Sequence, residues 1–213
     1  MTTSGPPLKR AQVERLVRYL HFVRQSKGRS AAVSSARLAE HAGLDESQVR
    51  KDLAAVGVRG RPRVGFRPAE ILSAIEKRLG LDQGYRAVVV GAGRLGSALI
   101  AYPGFARYGL EVVALVDADP LKIGTSIGGL IVHPVERLGE IVRDKEVRLG
   151  ILTVPDAAAG EMARRLACAG VQAIWNFASA GIDVPEGVYV RHEHLSVGLA
   201  ELAYHLSGRV SAE

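Results

Sequence analysis

The first eighty residues place apolar side chains three and four positions apart, the spacing of amphipathic helices. The pattern predicts a first helix from about Leu8 to Gln25, with an apolar face made by Val13, Leu16, Val17, Leu20 and Val23. A second helix is predicted to begin at a capping serine, Ser34 or Ser35, and to end at Gly43.

A third helix is predicted from an N-cap at Asp45 through QVRKDLAAV to Gly57. Gln48 follows three positions after Asp45, where a capping box places Glu or Gln. The second and third helices are separated by Gly43 and Leu44, a short glycine-containing turn that is typical of a helix-turn-helix.

The third helix has two different faces. Its inward face is predicted to be Val49, Leu53 and Val56. Its outward face is predicted to be Ser47, Lys51 and Ala54, flanked by Gln48 and Arg50. Small side chains allow close approach, and Arg, Lys and Gln bond base edges and phosphates, so this face is a candidate DNA-contacting surface.

The next stretch, VRGRPRVGF, predicts a hairpin of two short extended pieces around Gly60-Arg61-Pro62. Three arginines lie at its tip: Arg59, Arg61 and Arg63. A winged helix uses such a hairpin beside its recognition helix, and arginines there can enter a minor groove. An ordinary solvated hairpin is the alternative.

The charge is divided unevenly along the chain. Residues 1–80 hold 16 Lys and Arg against 7 Asp and Glu, a net charge of +9, and the remaining residues hold 12 against 15, a net charge of −3. This asymmetry alone is equally compatible with a solvated basic face. Together with the helix-turn-helix and the basic hairpin, it favours binding of a polyanion by the first part of the chain.

A dinucleotide-binding turn is predicted directly after a buried strand at Arg86–Val90, with a following helix that runs through SALIAYPGF. The candidate contacts in the turn are Gly91, Ala92, Gly93, Arg94, Leu95 and Gly96. A second strand, VVALVD, ends in Asp117, whose carboxylate is placed to bond ribose hydroxyls and to repel a 2′-phosphate. NAD(H) is therefore the expected cofactor.

Two further strands, LGILTV and AIWNFA, flank the helix PDAAAGEMARRLACAG and extend the predicted parallel sheet. Candidate cofactor contacts at their carboxyl ends are Thr153, Val154, Pro155, Asn176 and Phe177. The histidines of this half are His133, His192, His194 and His205. None has a recognisable catalytic setting, and the length leaves no substrate domain, so neither catalysis nor a metal site is expected.

Composition adds little to this picture. The 213 residues are 47% hydrophobic, contain no apolar run of membrane-spanning length and begin without the apolar core of a signal peptide. Cys168 is the only cysteine and excludes an internal disulfide, which fits a cytoplasmic protein.

Six motifs together resemble the bacterial Rex family of redox-sensing transcriptional repressors: SQVRKDL, VVGAGRLGSAL, YPGF, DADPLKIG, LTVP and WNFA. The resemblance extends from about Val13 to Leu206. It implies a homodimer in which a C-terminal helix, about Leu195 to Ser207, is swapped into the partner subunit. It also implies an operator that is bound in the presence of NAD⁺ and released with NADH, without hydride transfer.

The implied organisation is α/β: a winged helix-turn-helix DNA-binding domain at 1–80, a Rossmann domain at 84–192 and a swapped helix at 193–213. By the same resemblance, Arg50 and Lys51 contact bases and phosphates of an inverted-repeat operator, and Tyr102 lies near the cofactor and the subunit interface. Two other interpretations remain open. One is a small NAD-dependent oxidoreductase with an N-terminal dimerisation domain, and the other is a DNA-binding protein that responds to another ligand.

The chain departs from the family pattern at two places. Arg63 and Phe66 stand in the wing where the family usually has glycine and tyrosine. His21 and His194 stand where the family tends to pair an arginine with an aspartate. Two histidines cannot form that ion pair, so a smaller and pH-dependent response to NADH is predicted.

Overall fold

In the computed structural model, which describes residues 6–26 and 32–207, the chain divides into two units, Met1–Gln83 and Gly84–Glu213. The described helices of the first unit are α1 (Arg10–Gln25), α2 (Ser35–Ala42), α3 (Glu46–Ala55) and α4 (Pro68–Leu79). α1 packs against both α2 and α4, and α2 packs against α3. The largest fully buried side chains of this unit are Tyr19, Leu16, Leu20, Leu38, Leu53, Ile71 and Ile75.

The caps of the helix-turn-helix follow from its sequence. Ser34 is the N-cap of α2 and accepts a hydrogen bond from the backbone N–H of Arg37, at 3.2 Å. Asp45 is the N-cap of α3 and accepts one from the N–H of Gln48, at 3.0 Å. Between them Gly43 adopts a left-handed φ of 66°, which ends α2.

Three features of the first unit differ from the sequence prediction. The capping box is incomplete, because the Gln48 amide donates to Asp52 instead of returning to Asp45. α3 ends at Ala55, since Val56 is its half-buried C-cap and Gly57 has a left-handed φ of 84°. α4 was not predicted, although a proline at its first position is compatible with a helix start.

The basic hairpin also turns later than predicted. Arg61 and Gly65 exchange backbone hydrogen bonds of 2.8 and 2.9 Å, so the reversal is centred on Arg63, which has a left-handed φ of 60°. The returning Phe66 pairs with Val33, which precedes α2. The predicted centre at Gly60-Arg61-Pro62 is therefore two residues too early, because this pairing and Gly65 determine where the chain reverses.

The second unit is built on a seven-stranded sheet in the order β3-β4-β2-β1-β5-β6-β7. The strands are β1 (Tyr85–Val90), β2 (Leu110–Asp117), β3 (Ser126–Ile127), β4 (Leu130–Pro134), β5 (Leu149–Leu152), β6 (Ala173–Asn176) and β7 (Tyr189–His192). Only β3 runs antiparallel to its neighbour. The order reverses direction between β1 and β5, the arrangement of a Rossmann-type sheet, where ligands bind beyond the carboxyl ends of the strands.

The described helices of this unit are α5 (Arg94–Ile100), α6 (Leu138–Asp144), α7 (Asp156–Ala169) and α8 (Leu195–Leu206). Alternate residues of β1 enter different cores: Val88 and Val90 pack in one, and Ala87 and Val89 in the other. The sheet is therefore buried on both faces, as its nearly continuous apolar strands predict.

α5 is shorter than the sequence pattern suggested. It ends at Ile100, whereas the prediction extended it through Phe105. Pro103 cannot continue a helix, and a separate 3₁₀ turn, Phe105–Tyr108, follows it. Among residues 6–26 and 32–207, no helix has the length and apolarity that crossing a membrane would need.

Candidate nucleotide-binding and DNA-binding sites

The turn between β1 and α5 is packed so closely that two of its positions require glycine. Gly91 has a φ of 110°, and a Cβ added there would lie 2.7 Å from the carbonyl oxygen of Thr153. A Cβ on Gly96 would overlap the carbonyl oxygen of Gly91. The turn and the first residues of α5 can therefore pack directly beside β5 only with glycine at both positions.

Gly93 has a different environment. It is the N-cap of α5, no side chain caps the helix there, and no atom lies within 4 Å of an added Cβ. Ala92 beside it is buried, whereas Arg94 and Leu95 are exposed. The space beside Gly93, at the N-terminus of α5, is thus open to an anion of the size of a pyrophosphate.

Asp117 lies at the carboxyl end of β2 and ties this strand to the glycine turn. Its Oδ2 accepts the N–H of Ala92 at 2.6 Å, and its Oδ1 accepts the N–H of Asp119 at 2.8 Å. Burial would raise the pKa of Asp117, but these hydrogen bonds and one from Lys122 outweigh it and lower the pKa. The side chain is therefore an ionised carboxylate beside the turn, as the binding of ribose hydroxyls requires.

Lys122 lies beside Asp117 at the candidate nucleotide site, and the sequence pattern did not indicate it. Its Nζ lies 3.2 Å from Asp117 Oδ2 and 3.7 Å from Asp119 Oδ2. The turn that follows β2 folds back and brings this ammonium group beside the carboxylate. The motif DADPLKIG contains the lysine, but spacing alone did not show which way its side chain points.

The predicted contacts on β5 and β6 have different surroundings. The hydroxyl of Thr153 donates to the Gly91 carbonyl at 2.8 Å, which brings Thr153 and the glycine turn together. Val154 is half-buried and Pro155 is exposed. Asn176 is fully buried, and its amide is bonded within the protein, to backbone groups of Ala178 and Ala180 and to His192 Nδ1. Its side chain holds the loop after β6, so it does not point outward as a free polar group.

Four aromatic rings form a row on one side of the sheet. Tyr102 meets Phe105 edge-on with centroids 5.2 Å apart, Phe105 lies 5.9 Å from Trp175, and Trp175 lies 4.9 Å from Phe177. Tyr102 is at the exposed end of the row. Tyr102 and Phe177, at the two ends of the row, were predicted near the cofactor. Phe105 and Trp175, which lie between them, were not.

In the described part of the chain, the histidines are not grouped as the ligands of a metal ion would be. The rings of His192 and His194 are parallel with centroids 5.7 Å apart, His133 faces the Arg137 guanidinium, and His205 is exposed on α8. Within residues 6–26 and 32–207, no group of three His, Cys, Asp or Glu side chains could hold a metal ion.

The outward face of α3 is polar and cationic, as predicted, but most of its side chains have partners within the protein. Ser47 donates to the N-cap Asp45 at 2.5 Å, and Gln48 donates to Asp52 at 2.9 Å. Arg50 is bonded to Glu46 and Ser35. Lys51 is exposed and has no hydrogen-bond or ion-pair partner among the described residues.

The three arginines of the hairpin, Arg59, Arg61 and Arg63, are all exposed. Together with Arg50 they line a groove of about 570 Å³ between the start of α2, α3 and the hairpin. Phe66 is buried at the base of the hairpin. The first unit therefore has a continuous basic surface made by the third helix and the hairpin, which suits a nucleic-acid backbone.

A buried ion pair fixes the opposite side of α3. Asp52, with a side chain 2% exposed, accepts two hydrogen bonds from Arg15 at 2.6 and 2.8 Å. Tyr19 and Gln48 donate to the same carboxylate at 3.1 and 2.9 Å. Burial raises the pKa of Tyr19 and would raise that of Asp52, but its four hydrogen bonds lower the pKa of Asp52. This network joins α3 to α1.

α8 has no buried side chain. Its exposed apolar residues are Leu195, Val197, Leu199, Leu202, Tyr204 and Leu206. An apolar surface of this extent is rare on a monomer and indicates a partner that covers it.

Two family models match the chain, one in each unit. Residues 10–54 match a model described as a putative DNA-binding protein N-terminus, and residues 82–180 match one described as a CoA binding domain. The matches agree with the basic surface in the first unit and the glycine turn in the second.

Curated relatives are similar over almost the whole chain. A redox-sensing transcriptional repressor Rex of Streptomyces griseus is 41% identical over 95% of this chain and 81% of its own. The Rex of Carboxydothermus hydrogenoformans is 41% identical over 95% of this chain and 98% of its own.

Solved structures give the same similarity. RSP, a Rex-family repressor, in complex with NAD⁺ and operator DNA, superposes with a TM-score of 0.89 at 32% identity, over 96% of this chain and 94% of RSP. RSP in complex with NADH superposes with a TM-score of 0.86 at 31% identity, over 96% of both chains.

Proposed function

The chain belongs to the Rex family of redox-sensing transcriptional repressors, and we propose that it binds operator DNA as a homodimer and is released from the operator by NADH. It is a regulator and not an enzyme, and its cofactor is NAD(H). The observation that carries this function is the presence, in one chain, of an ionised carboxylate beside a glycine turn and of an exposed basic helix and hairpin.

The nucleotide is assigned to the carboxyl edge of the Rossmann sheet. The open backbone at Gly93 fits a pyrophosphate, and Asp117 fits the adenosine ribose. The proposed contacts are Gly91, Ala92, Gly93, Arg94, Leu95, Gly96, Tyr102, Asp117, Thr153, Val154, Pro155, Asn176 and Phe177. The nucleotide would act as a ligand and not as a reactant, so that only the oxidation state of its nicotinamide ring affects DNA binding.

The operator is assigned to the outward face of α3 and to the hairpin. The proposed contacts are Ser47, Gln48, Arg50, Lys51, Arg59, Arg61 and Arg63. Lys51 is exposed and without a partner in the described part of the chain, so it can bind a phosphate without breaking an internal bond. An inverted repeat is the expected operator because a twofold-symmetric dimer presents two identical helices.

The proposed domain boundaries are those of a winged-helix domain at 1–80, a Rossmann domain at 84–192 and a swapped C-terminal segment at 193–213 that contains α8. Residues 1–5, 27–31 and 208–213 of these ranges lie outside the described part of the chain. The apolar surface of α8 supports its burial in a partner subunit. A protein that represses transcription works where the chromosome is, so we place it in the bacterial cytoplasm.

Operator affinity with and without NADH tests the function directly. A ligand releases DNA only to the extent that it prefers the conformation that does not bind DNA. Allosteric coupling of this kind is typically about 5–150-fold, and we expect NADH to weaken operator binding within that range. The measurement is fluorescence anisotropy on a labelled inverted-repeat duplex, with NAD⁺ as the control ligand.

Equal operator affinity with NADH and with NAD⁺ would contradict the proposal and leave a DNA-binding protein with another effector. Turnover of NADH with a small substrate, without specific DNA binding, would favour the oxidoreductase alternative.

The replacement of the family's charged pair by His21 and His194 stays a prediction of weaker coupling between NADH binding and operator binding. The check is the factor by which NADH weakens operator binding, measured at about pH 6 and pH 8 in the wild type, His21→Ala and His194→Ala.

A further inference from the structure

Arg50 is held against the start of its own helix by two side chains. Its Nη1 donates to Glu46 Oε2 at 3.0 Å and to Ser35 Oγ at 3.2 Å. Ser35 in turn donates to the same Glu46 oxygen at 2.6 Å. The three side chains therefore form a closed triangle on the surface proposed to face DNA, and α2 and α3 both contribute to it.

The triangle leaves one side of the guanidinium free. Arginine has five N–H donors in a planar fork, and both hydrogen bonds of Arg50 to this triangle use the single nitrogen Nη1. The edge made by Nε and Nη2 has no partner among the described residues. It is one of the two edges with which a guanidinium can make a bidentate contact to O6 and N7 of guanine, and it is the one that stays available when Nη1 is bonded.

We propose that Glu46 is a positioning residue for operator recognition: it orients the free edge of Arg50 toward a base and makes Arg50 less available to phosphates. The inference rests on the proposed function. A base edge can be bonded while the Glu46–Arg50 ion pair stays intact. A phosphate that draws the guanidinium away has to displace the carboxylate and approach its negative charge.

Charge supports this assignment. The hydrogen bond from Ser35, followed by the contact with Arg50, lowers the pKa of Glu46, so the carboxylate is ionised at neutral pH. An anion on a surface that approaches DNA is electrostatically unfavourable. The repulsion between Glu46 and the DNA lowers the affinity for every sequence equally. The orientation of Arg50, in contrast, raises the affinity only for sequences that have the matching base.

A purely local role for Glu46 has to be distinguished from this one. A carboxylate in the first turn of a helix stabilises the helix through its dipole, and Glu46 occupies such a position. A local role predicts a change in thermal stability with equal effects on all duplexes. A positioning role predicts a change in the ratio of operator affinity to affinity for a scrambled duplex.

The test compares Glu46→Gln and Glu46→Asp with the wild type on two duplexes: one that the wild type selects from a randomised library, and a scrambled version of it. We expect Glu46→Gln to bind the scrambled duplex more tightly and to lower the affinity ratio about threefold to tenfold. Glu46→Asp keeps the charge but is one methylene shorter, so it too should lower the ratio. An unchanged ratio in both variants, or an unchanged ratio in Glu46→Asp alone, would overturn the positioning role.

Two controls make the result specific. Glu14→Gln removes the same charge from another exposed ion pair, Arg10–Glu14 at 2.9 Å on α1, and should leave the ratio unchanged. In an Arg50→Ala background, Glu46→Gln should no longer lower the ratio, because Glu46 acts through Arg50.

A wild type that binds both duplexes equally would instead count against the proposed function. Failure of the proposed function can therefore be distinguished from failure of the positioning role of Glu46.

Discussion

At the scale of single residues, Asp117 holds the glycine turn in place and is also the residue that we propose to bind the ribose. The carboxylate accepts two backbone N–H groups and lies beside Lys122. A 2′-phosphate would meet the negative charge of Asp117 but also the positive charge of Lys122. The relative affinity for NADH and NADPH is therefore expected to depend on the balance of these two neighbouring charges.

We expect Asp117→Ala to narrow the difference in affinity between NADH and NADPH, because it removes the repulsion and leaves Lys122 free. Isothermal titration calorimetry of both nucleotides measures the difference. Asp119→Ala is the matched control, since Asp119 also lies near Lys122 but at the longer distance of 3.7 Å. Equal affinities for NADH and NADPH in the wild type would exclude this role for Asp117.

Asp52 gives a prediction about stability and pH. Because its pKa is below the ordinary 3.8, the ionised form stabilises the folded state above that value. The stabilisation is lost as the pH falls through the folded-state pKa. Asp52→Asn should lower the free energy of unfolding by about 1–3 kcal/mol at neutral pH, since Arg15 loses its charged partner.

Urea unfolding of the wild type and Asp52→Asn from about pH 8 down to pH 3 checks this prediction. The difference between the two proteins should stay constant at higher pH and shrink in acid. A difference that persists unchanged at the lowest pH would mean that the ion pair with Arg15 is not its source.

At the scale of elements, the sequence predicted what depends on local spacing. The apolar period of α1, the inward positions Val49 and Leu53 of α3 and the caps Ser34 and Asp45 are properties of a few neighbouring residues, and the structure confirms them. Val56, the third inward position predicted for α3, is half-buried and lies just after the helix. The turn of the hairpin lies two residues later than predicted. Its position depends on pairing between Phe66 and Val33, which lie 33 positions apart in the chain.

The candidate sites follow the same rule. The glycine turn and Asp117 form a motif whose spacing implies its geometry. Lys122 and the Glu46 triangle were missed, because each depends on how a side chain folds back across a turn. The Asp52 network joins α3 to α1, and no local pattern indicates which arginine would meet that carboxylate.

Two glycine-to-alanine substitutions should have opposite effects. Gly96→Ala places a methyl group on the carbonyl of Gly91, so it should abolish NADH binding and destabilise the second unit. Gly160→Ala lies inside α7, where the nearest atom to an added Cβ is Arg164 Nη1 at 3.7 Å. It should raise stability by up to about 1 kcal/mol, because alanine is the better helix former.

Thermal unfolding and NADH titration of both variants test this pair. NADH affinity equal to that of the wild type in Gly96→Ala would show that the turn can move aside. Lower stability in Gly160→Ala would contradict the open space that surrounds this position on α7.

At the scale of the whole molecule, α8 is a helix that a monomer leaves uncovered. We expect Leu199→Lys combined with Leu202→Lys to produce monomers, because burying two ammonium groups in an apolar interface is unfavourable. Sedimentation equilibrium measures the mass. Leu121→Lys, at another exposed leucine, is the control. A dimer that survives the double substitution would place the interface elsewhere.

The aromatic row has a consequence for optical measurement. Trp175 is the only tryptophan of the chain, and it lies between Phe105 and Phe177 in the same unit as the glycine turn. Indole emission overlaps the absorption of the reduced nicotinamide but not that of the oxidised ring. Resonance energy transfer should therefore quench the fluorescence of Trp175 when NADH binds and leave that fluorescence unquenched when NAD⁺ binds. The protein would thus have an internal fluorophore that reports, without any label, which oxidation state of the nucleotide it has bound.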